Sequence, residues 1–524
     1  MELFAVIPLL TTAGTALLPV IMAAIASLAA VVLKPRELFR LCRERPATAG
    51  GWGGVITLGI LGVVWFLTAD NSARGVLLAT SRPQGHVDWA HVAEELIARE
   101  RAGKAPTSLT EELPAGAPLV LGHDCSRCFY GGGASPVRLT SRWSFHPEDT
   151  MFLSSPAVTG KRIFAAGCQS EMGSYVGLLA CLDAETGQPL WQTTQVGDEP
   201  LRPFFSSPAL TQDGKCLVIG QGLHSDRDCS LLGFDTATGR CRWAVKTTLH
   251  IESSPAIFGR LAVVGAGAIE GHDGKPVGDP GYVLAVRIAD GHELWRYPVN
   301  DPESSPAIDE HGTVYIGSGF NGMAVVALRS DETEDLQARK LERVLWRTPL
   351  TQPVTSAITL AGDLVIAGAG NSDMVHSNPD ARGLVVALDS ATGALRWQTP
   401  FDDAVLGPIA ARGGLLICPS RTGEVTALAA HDGHVLWRAR ISRNAPVLAG
   451  CSLTDRGVYA VSSDGYLAVL DLKTGNVQEK VYLNDQRQPG TGLSISSPYV
   501  ARGRLIVGSE TGGLCCLVGS EATE

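Results

Sequence analysis

The pattern of apolar and polar positions splits the chain into two unlike parts. Residues 3–33 carry no charged side chain, and a second apolar run covers 54–69. At about 1.5 Å rise per residue, a helix over roughly 12–33 outreaches the ~30 Å hydrocarbon core of a bilayer. Pro8 and Pro19 break or kink the start of that block. The second run predicts a shorter span over about 52–69, with Trp52 and Trp65 as interfacial anchors. Between the two runs, Lys34, Arg36, Arg40, Arg43 and Arg45 make a basic loop that the positive-inside rule holds in the cytoplasm. A cleaved signal peptide does not fit, because no basic segment leads the block and the block is too long. Residues 1–70 are therefore expected to be an anchor of two transmembrane helices. That makes the lipid bilayer one partner and the bacterial inner (cytoplasmic) membrane the location, with everything downstream on the periplasmic side. Residues 86–104 have helical periodicity, so 71–136 is read as a helical linker and entry segment.

From residue 137 the pattern changes to short alternating apolar runs that recur in register. S-S-P-A occurs at 154, 206, 253 and 304 and S-S-P-Y at 496, with weaker equivalents T-S-A-I at 355, L-G-P-I at 406 and N-A-P-V at 444. Each unit predicts four strands, A to D, with a tryptophan on the outer one: Trp191, Trp243, Trp295, Trp346, Trp397 and Trp437. In the seventh unit Gln478 is placed where the tryptophan would fall. The eighth unit runs out before its outer strand, whereas Trp143 lies on an upstream strand with no unit before it. The two gaps complete each other. The expected fold is all-β, an eight-bladed β-propeller over 137–520 closed by an N-terminal strand and followed by a 521–524 tail, since closure leaves no edge strand unpaired.

One phrase, D-x-x-T-G-x-x-x-W, recurs at 183, 235 and 389. It pairs no nucleophile with a base and so reads as structure. Asp183 can bind turn amides, Gly187 supplies the positive φ of a tight C–D hairpin, and Trp191 packs in a seam between blades. The Asp is replaced without loss of the pattern, by Arg287 in one copy and by Leu428 or Ala429 in another.

A net charge of −10 and the lack of a basic stripe argue against nucleic acid as a partner. Taken in register, S-S-P-A followed by A-L-D-x-x-T-G-x-x-x-W resembles the repeat of the pyrroloquinoline-quinone-like (PQQ-like) eight-bladed propellers, and the likeness covers roughly 137–520. That resemblance implies two functions. One branch is quinoprotein-like: oxidoreductases of alcohols or sugars that use PQQ and Ca²⁺. The other is BamB-like: binding scaffolds that do no chemistry. Vicinal Cys515–Cys516 matches one quinoprotein feature, but strand alternation sends one thiol to each sheet face. No position matches the family's Ca²⁺ ligands or catalytic Asp.

Chemistry is expected on the loops where the repeats differ. The B–C loops and D–A links share one face, and they carry His224, Asp226, Asp228, Glu252, Glu270, His272, Asp273, Asp279, Glu303, Asp373, His376 and Asp380. These residues form the candidate binding face for a protein or polymer partner. Glu252 and Glu303 precede S-S-P-A and are expected at the mouth of the central channel. The clustered oxygens of 272–279 and 372–380 suit Ca²⁺ in type, but neither stretch has a fixed ligand spacing, so no catalytic, cofactor or metal residue is assigned. Cys125 and Cys128 form C-x-x-C without a following His, which fits a local disulfide or free thiols. Cys168/Cys181 and Cys216/Cys229 are further candidate cross-strand pairs. Residues 330–346 predict a short helical insertion in the C–D turn of blade four. The function expected is that of a membrane-anchored, non-catalytic scaffold, with a PQQ- and Ca-dependent oxidoreductase as the alternative.

Overall fold

The computed structural model describes residues 129–521 except 172–173, 225 and 269–276. The two apolar runs, the basic loop, the linker up to 128 and the Cys125–Cys128 pair lie outside the described residues. Among those described, no helix is long and apolar enough to cross a membrane.

Eight antiparallel sheets carry the fold. Blade three shows the plan, with strands Ala256–Phe258, Leu261–Ala266, Tyr282–Arg287 and Glu293–Pro298 paired in chain order from inner to outer. Blade eight departs from it. Its first three strands are Tyr499–Ala501, Arg504–Gly508 and Leu514–Glu521, and its outer strand is Pro136–Phe145, with Trp143 opposite Cys516. The entry segment just before that strand is clamped on blade seven. Leu453 N–H donates to Phe129 O (2.9 Å) and Gly131 N–H to Leu453 O (3.0 Å). The Tyr130 hydroxyl donates to Asp455 (2.6 Å), and the Arg412 guanidinium lies over the Tyr130 ring.

The core lies in the seams between blades. Alternation sends neighbouring residues of one strand into different seams: Leu231 packs with blade three and Leu232 with blade one. Cys515 and Cys516 separate in the same way, each thiol buried in a different cluster. The expected cross-strand cysteine pairs do not form. Cys168 faces Gly177 and Cys181 faces Phe164, while Cys216 faces Asp235 and Cys229 faces Thr247, and all four thiols are free.

The repeated phrase joins two blades. Asp183 accepts the N–H groups of Glu185 (3.0 Å) and Thr186 (2.9 Å), and Gly187 closes the turn at φ 70°. The tryptophan of the preceding blade then lies on that glycine: a Cβ on Gly187 would stand 2.5 Å from the Trp143 ring, and one on Gly393 2.6 Å from Trp346. Each indole N–H donates to a carbonyl of the same turn, as Trp191 does to Thr236 O (2.9 Å) and Trp243 to Ile288 O (2.8 Å). Blade four has the expected helix, Thr333–Arg339, instead of the T-G turn, and there the Arg343 guanidinium sits 4.4 Å from the Trp295 ring centroid. In the two copies without Asp, the turn-opening residues are Arg287 and Ala429.

Several register assignments need correction. T-S-A-I and L-G-P-I each begin one residue early, because Ser304 Oγ donates to Ser356 O and Ser356 Oγ to Gly407 O, so Ser356 and Gly407 hold the first-serine position. Val469 pairs with Glu479, as Ala427 pairs with Trp437, so Glu479 and not Gln478 takes the tryptophan position of blade seven. The reason is topological. Blade eight receives its outer strand from the N-terminal side and has no C–D turn for an indole to cover. The Glu479 carboxylate instead accepts the Leu139 N–H of the closing strand (2.9 Å). Nor is N-A-P-V the inner-strand equivalent of blade seven. That strand is Ser452–Leu453, and Gly450 holds the second-serine position.

The serines tie blade to blade near the axis. The N–H of Ser155 donates to Ser207 Oγ (3.0 Å), Ser207 to Ser254 Oγ (2.9 Å) and Ser254 to Ser305 Oγ (2.9 Å). The first serines bond in the same blade-to-blade direction but through their hydroxyls: Ser206 Oγ donates to Ser253 O (3.0 Å) and Ser253 Oγ to Ser304 O (3.0 Å). Buried hydroxyls here have partners, as desolvation requires.

Candidate functional site

The D–A links and B–C loops surround a cavity of about 620 Å³ at the axis. One side is apolar, with Leu153, Phe205, Leu406, Leu448 and Ile495 in a single cluster that also takes in Leu223 and Met374. The other side carries His224, Glu252, Asp301 and Glu303, and the floor carries the second serines Ser155, Ser207, Ser254, Ser305 and Ser497. Among the described residues no Lys, Arg or Trp lines the cavity.

His224, His250, Glu252 and Glu303 converge, one potential ligand atom from each lying within 4.8 Å of the others. Glu303 Oε1 is 3.0 Å from His224 Nδ1 and 3.1 Å from His250 Nε2. His250 is fully buried, and its Nδ1 has no hydrogen-bond partner among the described residues. Burial and the Glu303 charge push the Glu252 carboxyl up to about 7. Burial opposes ionisation of Glu303 as well, but hydrogen bonds from the two histidines prevail and hold it down at about 2. Burial also opposes charge on His250, and the Glu303 hydrogen bond with both carboxylates outweighs it, so its pKa is raised. The cluster therefore holds one firmly ionised carboxylate, Glu303, between two imidazoles, with Glu252 held back from ionising beside them.

The predicted face is brought together only in part. His224, Glu252, Glu303, Asp373 and His376 line the cavity. Glu270, His272 and Asp273 lie outside the described residues. The other acids build loops instead. Asp226 accepts Leu223 N–H (2.9 Å), Asp279 accepts Gly281 N–H (3.0 Å), and Asp228 holds a left-handed turn at φ 54°. Asp380 is exposed, and its backbone carbonyl accepts from Asn371 (3.0 Å). Asp373 binds the amides of Val375 (2.7 Å) and His376 (2.6 Å), leaving the His376 ring exposed at the rim. His250 was not among the expected residues. The signal was present in His250-Ile251-Glu252: Ile251 is buried, and extended alternation puts its two neighbours on the same side.

The family profile described as Outer membrane protein assembly factor BamB matches residues 138–343. Among curated proteins, the BamB of Yersinia pestis is 26% identical over 284 residues, 49% of this chain and 65% of that protein. The BamB of Burkholderia pseudomallei is 24% identical over 347 residues, 58% of this chain and 83% of that protein. The chain thus spans just under two thirds of the first of these relatives. Among solved structures, the quinohemoprotein alcohol dehydrogenase of Comamonas testosteroni superposes with a TM-score of 0.55 at 15% identity, covering 84% of this chain and 85% of that one, a likeness of fold alone. With its eight blades, its serine-tied inner strands and its turn-and-tryptophan phrase, the described part of the chain is an eight-bladed β-propeller, similar to BamB in sequence over part of its length.

Proposed function

We propose that the propeller is a non-catalytic binding scaffold. In this reading it is held at a bacterial inner membrane by the apolar runs at 12–33 and 52–69 and takes a protein or polymer segment at the periplasmic mouth of the central cavity. The observation that carries this is the chemistry of the cavity wall. PQQ is a flat tricarboxylate and needs cationic partners and a planar face to stack on. Among the described residues the wall offers four carboxylates, no Lys or Arg and no tryptophan. The seven blade tryptophans lie in the seams, spent on turn carbonyls. The residues present do not fit PQQ, and no step is derived through it. They suit a segment that is apolar on one side and basic on the other, since the wall divides in that way. Similarity to BamB supports the same reading.

The test uses the full-length protein in its native membrane, with a photo-crosslinking residue at Val375, which is 68% exposed at the rim. A discrete partner band that disappears with Met374→Asp is the expected result. Saturable PQQ binding to the purified protein with Ca²⁺, together with dye reduction by alcohols or sugars, would overturn it.

A further inference from the structure

We propose that His224, His250, Glu252 and Glu303 bind one divalent first-row transition-metal ion of the zinc class at the mouth of the central cavity. The four side chains come from three segments. His224 lies on the B–C loop of blade two, His250 and Glu252 on the link into blade three, and Glu303 on the link into blade four. Two imidazole nitrogens with two carboxylate oxygens form the N/O set that such ions take, and they are a poor set for Ca²⁺ or Mg²⁺, which prefer oxygen alone.

The spacing agrees. Metal–ligand bonds of about 2.0–2.2 Å in a tetrahedron put neighbouring donor atoms roughly 3.3–3.6 Å apart. Here the two histidine–Glu303 separations are 3.0 and 3.1 Å, and no pair of donor atoms exceeds 4.8 Å. Closing the wider separations to that range brings all four onto one ion.

Two further observations point to a ligand. First, space is kept open at Gly267. A Cβ there would stand 2.7 Å from His250 Nε2, 2.7 Å from Glu303 Cγ and 3.0 Å from its Oε1. Second, His250 is fully buried and turns Nε2 into the cluster, 3.1 Å from Glu303 Oε1, whereas the nitrogen without a partner among the described residues is Nδ1, which points away from it. The two carboxylates likewise form no ion pair with Lys or Arg among the described residues. A metal cation would neutralise them where the described residues supply no Lys or Arg. The His224 side chain is 49% exposed and gives the ion its path of entry. Asp373 and His376, the other acid–imidazole pair at the rim, are exposed and 4.0 Å apart, so they form no such site. The inference is independent of the scaffold reading: a scaffold without the ion and an ion without a partner are both detectable.

The experiment titrates metal-stripped full-length protein with Co²⁺, followed by its visible d–d absorption, and then with Zn²⁺ as competitor. One Co²⁺ per chain with a saturating band, displaced by one Zn²⁺, is expected. His224→Ala should weaken binding by at least ~10–100-fold, the range seen when even a metal's supporting partners are disturbed. Gly267→Ala should weaken it too, whereas His376→Ala should leave it unchanged. His224 is half exposed, so equal thermal midpoints for the stripped variant and the stripped parent will show that the loss is not unfolding. Substoichiometric binding, binding indifferent to His224→Ala, or displacement of Co²⁺ by equimolar Ca²⁺ would each overturn the proposal.

Discussion

Ser497 and Ser155 lie 342 residues apart in the chain, and the N–H of the first donates to Oγ of the second at 2.9 Å. The bond crosses the seam between the last blade and the first, and it has the same form as the bonds between blades one, two and three. Near the axis the closing seam is thus built like the others. Ser155→Ala should leave a buried N–H without its acceptor and cost ~1–3 kcal/mol. Ser207→Ala should cost about the same. Urea unfolding of both variants checks this, and an unchanged midpoint for Ser155→Ala would show that the hydroxyl contributes nothing to closure.

Gly393 and Gly362 separate two roles of turn glycines. Both have positive φ, 71° and 65°, but a Cβ on Gly393 would stand 2.6 Å from Trp346, whereas one on Gly362 meets nothing within 4 Å. Gly362→Ala should cost ~1–2 kcal/mol for the left-handed backbone alone. Gly393→Ala should cost ~1–3 kcal/mol more from overpacking. Equal losses in denaturant unfolding would refute the seam role of the turn.

Asp235 and Asp389 set an acid limit. Hydrogen bonds hold each carboxyl down at about 2, from Arg242 and Thr238 in the first case and from Thr392 and Arg396 in the second. A carboxyl whose pKa falls on folding stabilises the fold above its unfolded pKa of about 3.8. That contribution drains away as pH drops towards 2. Asp235→Asn should flatten the fall of the thermal midpoint between pH 4 and pH 2 and leave its shape above pH 5 unchanged. A variant with the parent's acid profile would show that the turn carboxylate is not linked to stability.

The described cysteines should be inert while the protein is folded. All nine are free, and eight of them are buried. Burial pushes the Cys168 thiol up to about 12 and Cys181 up to about 11, so little nucleophilic thiolate forms at pH 8. Ellman's reagent should label these nine slowly in native protein and promptly after denaturation, with the partly exposed Cys241 leading. Prompt labelling of Cys168 in the folded state, read by peptide mapping, would contradict the seam packing.

Blade number, strand order and closure were legible because the repeats are in register and because Trp143 supplied the strand that the eighth unit lacks. The misplacement of Gln478 for Glu479 was avoidable: Asp471, Thr474 and Gly475 keep the repeated phrase, and its spacing of eight residues from Asp to Trp leads to Glu479, the residue that pairs with Val469. Gly450 was missed because the second serine's hydroxyl is unnecessary there, its N–H donating onward to Ser497 Oγ (2.9 Å). At the site, Glu252 and Glu303 could be placed at the mouth from their position before S-S-P-A. The convergence of His224 and His250 on Glu303 could not, since it depends on the angle between blades. Most other loop acids proved to be turn-builders, a role that composition does not distinguish from binding.

The clamp of the entry segment on blade seven has a mechanical consequence. Force applied through the chain before residue 129 first meets the bonds of Phe129 and Gly131 to Leu453 and the Tyr130–Asp455 contact. The closing strand lies behind them and is loaded afterwards. Phe129–Gly131 thus acts as a strain relief, as a clip does on a cable. A tug strong enough to free it would leave the seam between blades eight and one still shut.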